Sequence, residues 1–107
     1  MRNTVGASAS PRGPFKRVGT FWTYILRCAD ETYYTGFTNN LEARLKLHRA
    51  GNGARYVRGK GPLTLVYAKE YRYYKRALQA ERQLKQFTRK RKEKLISDYA
   101  KQKTEHV

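Results

Sequence analysis

YYTGFTNNLEARLKLH, residues 33–48, contains the transition that decides the fold. Its first six residues are aromatic or β-branched around one glycine, the composition of a short strand. Two asparagines follow, and either Asn39 or Asn40 can cap a helix by accepting from a backbone N–H of its first turn. From Leu41 the apolar period becomes helical, and Gly51 closes the segment after about Ala50. Leu41, Arg44, Leu45 and His48 share one face, because residues three and four apart are neighbours on a helix. That stripe should cover a core. It nevertheless carries an arginine and a histidine, placed where a tyrosine hydroxyl from the strand can meet them.

Working outward, Phe21 to Ala29 reads as an earlier strand, and Asp30-Glu31-Thr32 turns it into the second, Tyr33 to Thr38, as a hairpin. In that second strand Tyr34 and Gly36 lie on one face, and Tyr33 and Thr35 on the other. Gly36 weakens a strand, so it marks a bulge or the close approach of another backbone. Residues 51–62, GNGARYVRGKGP, form a glycine-rich basic loop with one helical turn over Ala54 to Val57. Leu63 to Tyr71 gives a third strand. A helix runs from about Tyr73 to Phe87, and Thr88 caps a last helix that ends near Gln102 with Leu95, Ile96 and Tyr99 as its apolar positions.

The order β-β-α-β-α-α predicts an α/β (α+β) fold, a small three-stranded sheet, antiparallel or mixed, flanked by helices. Residues 1–19 read as a disordered basic arm, 20–102 as the domain and 103–107 as a tail. The arm lacks the apolar core of a secretory signal.

The 107 residues carry 24 Lys and Arg against 8 Asp and Glu, a formal net charge of +16. Such a surplus suits a polyanion, DNA first and RNA also compatible, through phosphate contacts and counterion release. No stretch approaches the ~20 apolar residues of a membrane-spanning helix, so no membrane partner is expected. Nine tyrosines against four phenylalanines and one tryptophan can build a core that leaves hydroxyls at its edge. Cys28 is the only cysteine, which rules out an intramolecular disulfide and a cysteine zinc site. Two histidines are too few for a histidine zinc site, so a catalytic metal would be a hard ion held by oxygen. The expected setting is reducing, cytoplasmic and compatible with association with the nucleoid. A monomer is expected.

The inward stripe of the helix from Tyr73 reads Tyr74, Ala77, Leu78, Glu81 and Leu84, placing a carboxylate among apolar residues. A buried carboxylate is costly unless paired or bound to metal; Glu81 can pair with Arg44 or a lysine, or take a metal ion. Arg44 can snorkel to solvent, and His48 and the tyrosines can be structural. Together, however, they fit phosphodiester cleavage. Tyrosine hydroxyls can shuttle protons, arginine can grip two phosphate oxygens, and Glu81 can hold Mg²⁺ or Mn²⁺.

Trp22-Thr23-Tyr24, Tyr34-Thr35-Gly36, Arg44, His48 and Glu81, in this order and spacing, resemble the GIY-YIG nuclease superfamily. The likeness is greatest to its small stand-alone bacterial members of the UPF0213 (YhbQ) type. RGKGP, residues 58–62, and ALQAERQLK, residues 77–85, also look like a structure-specific nuclease domain of that superfamily. The resemblance covers about residues 21–96.

It implies a metal-dependent endonuclease on DNA, directed at branched or single-stranded forms, in repair or recombination. Tyr24, Tyr34, Arg44 and His48 would be catalytic, and Glu81 would hold one Mg²⁺ or Mn²⁺ ion. Arg55, Arg58 and Lys60 of the loop, with Arg89, Lys90, Arg91 and Lys92, would bind nucleic acid. The alternative is a nucleic-acid-binding module without catalysis. Three departures stand out. Trp22-Thr23 replaces Gly-Ile in the first motif, Thr35 replaces the Ile of the second, and the late asparagine of some members is absent, since no Asn follows Asn52.

Overall fold

The structure, a computed structural model, describes residues 17–105; the first 16 residues of the arm expected over 1–19 and the last two residues of the expected tail lie outside the described residues. β1 (Val18–Arg27) and β2 (Tyr33–Thr38) form the expected antiparallel hairpin, with Tyr24 opposite Gly36 and Leu26 opposite Tyr34. The turn is held by Asp30, whose Oδ1 accepts from the Thr32 N–H at 3.1 Å and the Thr32 hydroxyl at 2.5 Å. β3 (Thr64–Tyr73) joins the free edge of β1, giving the order β2-β1-β3, antiparallel throughout.

Three α-helices complete the described residues: α1 (Leu41–Arg49), α2 (Tyr74–Lys85) and α3 (Arg89–Glu105). Asn40 is the cap of α1, its Oδ1 accepting from the Ala43 N–H at 3.0 Å. Thr88 does the same for α3, accepting from the Arg91 N–H at 3.2 Å. The helical turn expected after Gly53 is a 3-10 turn, Arg55–Val57.

Several boundaries move. β1 begins at Val18, inside the stretch read as an arm, because Val18 pairs with Tyr73 and extends the ladder past the aromatic run. The same pairing lengthens β3 by two residues beyond Tyr71. At the other end α3 runs to Glu105, so the expected tail from residue 103 is largely helical.

The strand alternation splits the core between the two faces of the sheet. On one face Tyr24, Leu26 and Cys28 pack with Val57 and Leu63, flanked by Leu41 and Leu45 of α1. On the other, Ile25 and Tyr67 pack with Leu84 of α2, and with Leu95, Ile96 and Tyr99 of α3. Buried Thr23 belongs to this second side and donates its hydroxyl to the Ala77 carbonyl at 2.8 Å, which anchors α2 one turn before Glu81.

Thr35 is 4% exposed, and its Oγ1 has no hydrogen-bond partner. A buried orphan hydroxyl costs on the order of 1–3 kcal/mol, and an apolar group of the same shape removes the penalty. Thr35→Val should therefore stabilise the fold by about 1 kcal/mol, read as a higher urea midpoint at unchanged slope. An unchanged or lower midpoint would mean that the hydroxyl is satisfied in solution.

Candidate active site

Tyr24 is the centre of the site. It is almost wholly buried, and its Oη lies 2.9 Å from Nε2 of His48, which is 2% exposed. β1 presents Tyr24 and the last turn of α1 presents His48, so one hydrogen bond joins sheet to helix. The ring of Tyr34 closes on both, with centroids 6.3 Å from Tyr24 and 5.5 Å from His48, the latter edge to face.

Glycine makes this packing possible at two points. A Cβ on Gly36 would overlap Cζ and Oη of Tyr24, and one on Gly53 would overlap Nδ1 of His48. Gly36 is thus neither a bulge nor a backbone contact: the register runs unbroken through it, and the approaching group is the Tyr24 ring. The other His48 nitrogen is also engaged, since the Ala54 N–H donates to Nδ1 at 3.3 Å.

Burial above all, and Tyr34 next, push the Tyr24 hydroxyl well above the ordinary phenol range; Arg44 opposes this and Glu81 adds to it. Both charged side chains are therefore within electrostatic reach of the hydroxyl. Among the described residues the half-buried Arg44 guanidinium has no carboxylate partner, which leaves it available to an anion. Glu81 arrives from α2, its side chain 15% exposed, and pairs with Lys85 at 3.2 Å. The pairing with Arg44 considered from sequence is not formed.

Burial, with the positive charge of Arg44, holds His48 below its ordinary 6.5. The unfolded chain thus takes up a proton before the folded one does. The stability contributed is complete above 6.5 and is lost as pH falls through the lower folded value. Wild type should lose urea resistance from about pH 7 to about pH 5, and His48→Gln should lose less over the same interval. Equal losses in the two proteins would place the acid-sensitive group elsewhere.

Residues 20–94 match the family profile of the GIY-YIG catalytic domain. The chain belongs to the GIY-YIG family. A UPF0213 protein of Oceanobacillus iheyensis is 49% identical over 75 residues, covering 70% of this chain and 87% of the relative. One of Natronomonas pharaonis is 44% identical over 77 residues, covering 72% and 91%. The solution structure of a UPF0213 protein from Bacillus halodurans aligns with a TM-score of 0.50 at 38% identity, over 73% of this chain and 83% of that one. A protein from E. faecalis aligns with a TM-score of 0.54 at 30% identity, over 78% and 92%.

In this GIY-YIG domain the two motif tyrosines sit side by side on one face of the sheet, with the α1 residues above them. The basic residues are dispersed and partly engaged. Arg58 donates from Nε to the Gly53 carbonyl at 3.2 Å, bracing the turn against His48. Lys60 pairs with Asp30 at 3.3 Å and stands 3.9 Å from the centre of the Tyr56 ring. Tyr56, 46% exposed, lies nearly parallel to Tyr34 at 5.9 Å.

From α3, Arg89 lies over Tyr33 and pairs with Glu93, and Arg91 lies over Phe87. Lys90 is exposed, while burial disfavours the charge on Lys92 and nearby Tyr56 favours it. Lys60 thus stands over one exposed aromatic ring, stacked on Tyr34, and Lys92 is within electrostatic reach of it. Arg55 lies at the start of the 3-10 turn. The sequence alone assigns no role to Gly53, Ala54 or Tyr56; its only signal is the Gly-x-Gly of residues 51–53 ahead of an aromatic in a basic loop.

Proposed function

We propose that the protein is a divalent-metal-dependent endonuclease acting on DNA, with branched or single-stranded DNA as the preferred form. The observation that carries this reading is a buried, hydrogen-bonded Tyr24 within electrostatic reach of Arg44, which has no carboxylate partner among the described residues. A merely structural site has no need of that unpaired cation. Arg44 would clamp the scissile phosphate, with its fork of donors spanning two oxygens. Tyr24 would take a proton from the attacking water, for which it must first lose its own; Arg44 favours that loss. His48 and Tyr34 would orient that hydroxyl or relay its proton.

No cluster of three His, Cys, Asp or Glu able to hold a metal occurs among the described residues. One carboxylate, Glu81, paired through one oxygen with Lys85 and 15% exposed, fits a hard ion that would keep most of its waters and share the substrate's phosphate. When bound, such an ion would offset charge developing on the phosphate and the leaving oxygen. Lys60, Tyr56 and Lys92 would guide the strand, with phosphates against the lysines and a base on the ring.

The test is end-labelled single-stranded, duplex and branched DNA with Mg²⁺, Mn²⁺ or EDTA, beside Glu81→Ala. Wild type should cut only with metal, and the variant should be slower by at least about a hundredfold. If both proteins bind every substrate and cut none, the nuclease reading fails and a non-catalytic binding module replaces it.

A further inference from the structure

We propose that the Gly53–Ala54 turn locks His48 as its Nε2–H tautomer, making it the hydrogen-bond donor that positions Tyr24 and not the acceptor of its proton. The deciding group is a backbone amide, whose role is unambiguous. An amide N–H can only donate, so the imidazole nitrogen that receives the Ala54 N–H at 3.3 Å offers a lone pair. In a neutral imidazole one nitrogen carries the proton and the other accepts. With Nδ1 accepting, Nε2 carries the proton, and it points at Tyr24 Oη, 2.9 Å away. The oxygen therefore accepts, and its own O–H is directed elsewhere.

The surroundings hold this assignment in place. His48 is 2% exposed and has no room to turn over, because Gly53 lies against Nδ1 and its missing Cβ would fall 2.8 Å from the His48 Cα. The turn itself is tied at several points. The Gly51 N–H donates to the His48 carbonyl at 3.1 Å and the Asn52 N–H to the Leu47 carbonyl at 2.9 Å. Arg58 holds the Gly53 carbonyl, and the Val57 N–H donates to the Ala54 carbonyl at 3.1 Å. Turning the ring over would put carbon atoms where the two nitrogens make their hydrogen bonds, and moving the proton to Nδ1 would set two N–H groups against each other.

The fate of the tyrosine proton is thereby restricted. When Tyr24 gives up its proton, His48 cannot take it, because Nε2 already carries one and the Nδ1 lone pair is occupied by the Ala54 N–H. The proton leaves to solvent, and the Nε2–H remains to hydrogen-bond the phenolate oxygen. His48 is accordingly a positioning residue. Gly53 and Ala54 position it in turn.

The first arm of the test needs no activity, and so can fail independently of the nuclease reading; the second rests on that reading. Long-range proton–nitrogen correlation spectra of ¹⁵N-labelled protein, with His106→Gln removing the only other imidazole, report which His48 nitrogen is protonated. Wild type should show Nε2 protonated and Nδ1 bare. Tyr24→Phe should leave that pattern unchanged, because the backbone sets it. Gly53→Ala, which forces the ring or the turn to move, should shift or mix the tautomers. A protonated Nδ1 in wild type, an inverted pattern in Tyr24→Phe, or an unaltered spectrum in Gly53→Ala would each overturn the proposal.

In the activity arm a glutamine amide can donate from near the Nε2 position but cannot act as a base. His48→Gln should cleave about tenfold more slowly than wild type, and His48→Ala about a hundredfold more slowly. Equal losses in the two variants would assign His48 to proton transfer and overturn the donor role.

Discussion

Tyr24→Phe should lower kcat for DNA cleavage by about 10²–10⁴-fold, the range general acid–base catalysis supplies, with KM nearly unchanged. The split between the two constants is the informative part. Arg44 still grips the phosphate in the variant, so ground-state binding survives and the loss falls on the chemical step. Phenylalanine fills the same space but leaves the His48 Nε2–H facing carbon in a buried site. The fold should therefore weaken by about 1–3 kcal/mol, the cost of one unsatisfied buried donor. Both effects are large enough to separate by measuring cleavage well below the unfolding midpoint. A variant that cuts at the wild-type rate would remove Tyr24 from the chemistry.

The pH profile gives the same prediction an internal check. The hydroxyl is pushed above the ordinary phenol range mainly by its burial. If its loss of a proton limits the rate, wild-type cleavage should climb about tenfold per pH unit through neutrality. The residual activity of Tyr24→Phe should not share that slope. A profile flat in both proteins would shift water activation to another group.

Much of this site is legible in the sequence, because its residues announce themselves through period. The stripe of Leu41, Arg44, Leu45 and His48 and the stripe containing Ala77, Glu81 and Leu84 follow from helical spacing. The alternation of Tyr33 and Tyr34 likewise assigns them to opposite faces, where the two core clusters hold them. Local chemistry also names the caps, with only the choice between Asn39 and Asn40 left open. What spacing cannot supply is anything made by tertiary approach. Nothing in GNGARYV says that its second glycine lies against a histidine ring, or that the next amide hydrogen-bonds a side chain six residues back. The contact of Arg58 Nε with the Gly53 carbonyl is equally invisible in the spacing. Charge counts report surplus, not partners. Strand ends move for a related reason: Val18 becomes strand only because Tyr73 lies opposite it.

Gly36→Ala should be the most damaging single-methyl change in the sheet. The new Cβ would enter the space of Cζ and Oη of Tyr24 and come within 2.9 Å of Cε1. Relief is cheap when the obstacle is the far end of a flexible side chain, but this ring is fixed from two sides. Its backbone is paired with Gly36 itself, and its hydroxyl is bonded to His48. Either the β1–β2 pairing opens or the ring swings off His48. Overpacking of this kind costs about 1–3 kcal/mol, visible as a lower urea midpoint. A reactive oxygen displaced by about 1 Å can lose on the order of a hundredfold in rate, so activity should fall further than stability accounts for. Gly19→Ala is the matched control: in the same sheet its Cβ would meet only the Phe21 ring at 3.4 Å. It should alter stability by less than about 0.5 kcal/mol and leave cleavage untouched. If Gly36→Ala behaves like that control, the Tyr24 ring has freedom that its burial and its hydrogen bond deny, and no preorganised site exists in solution.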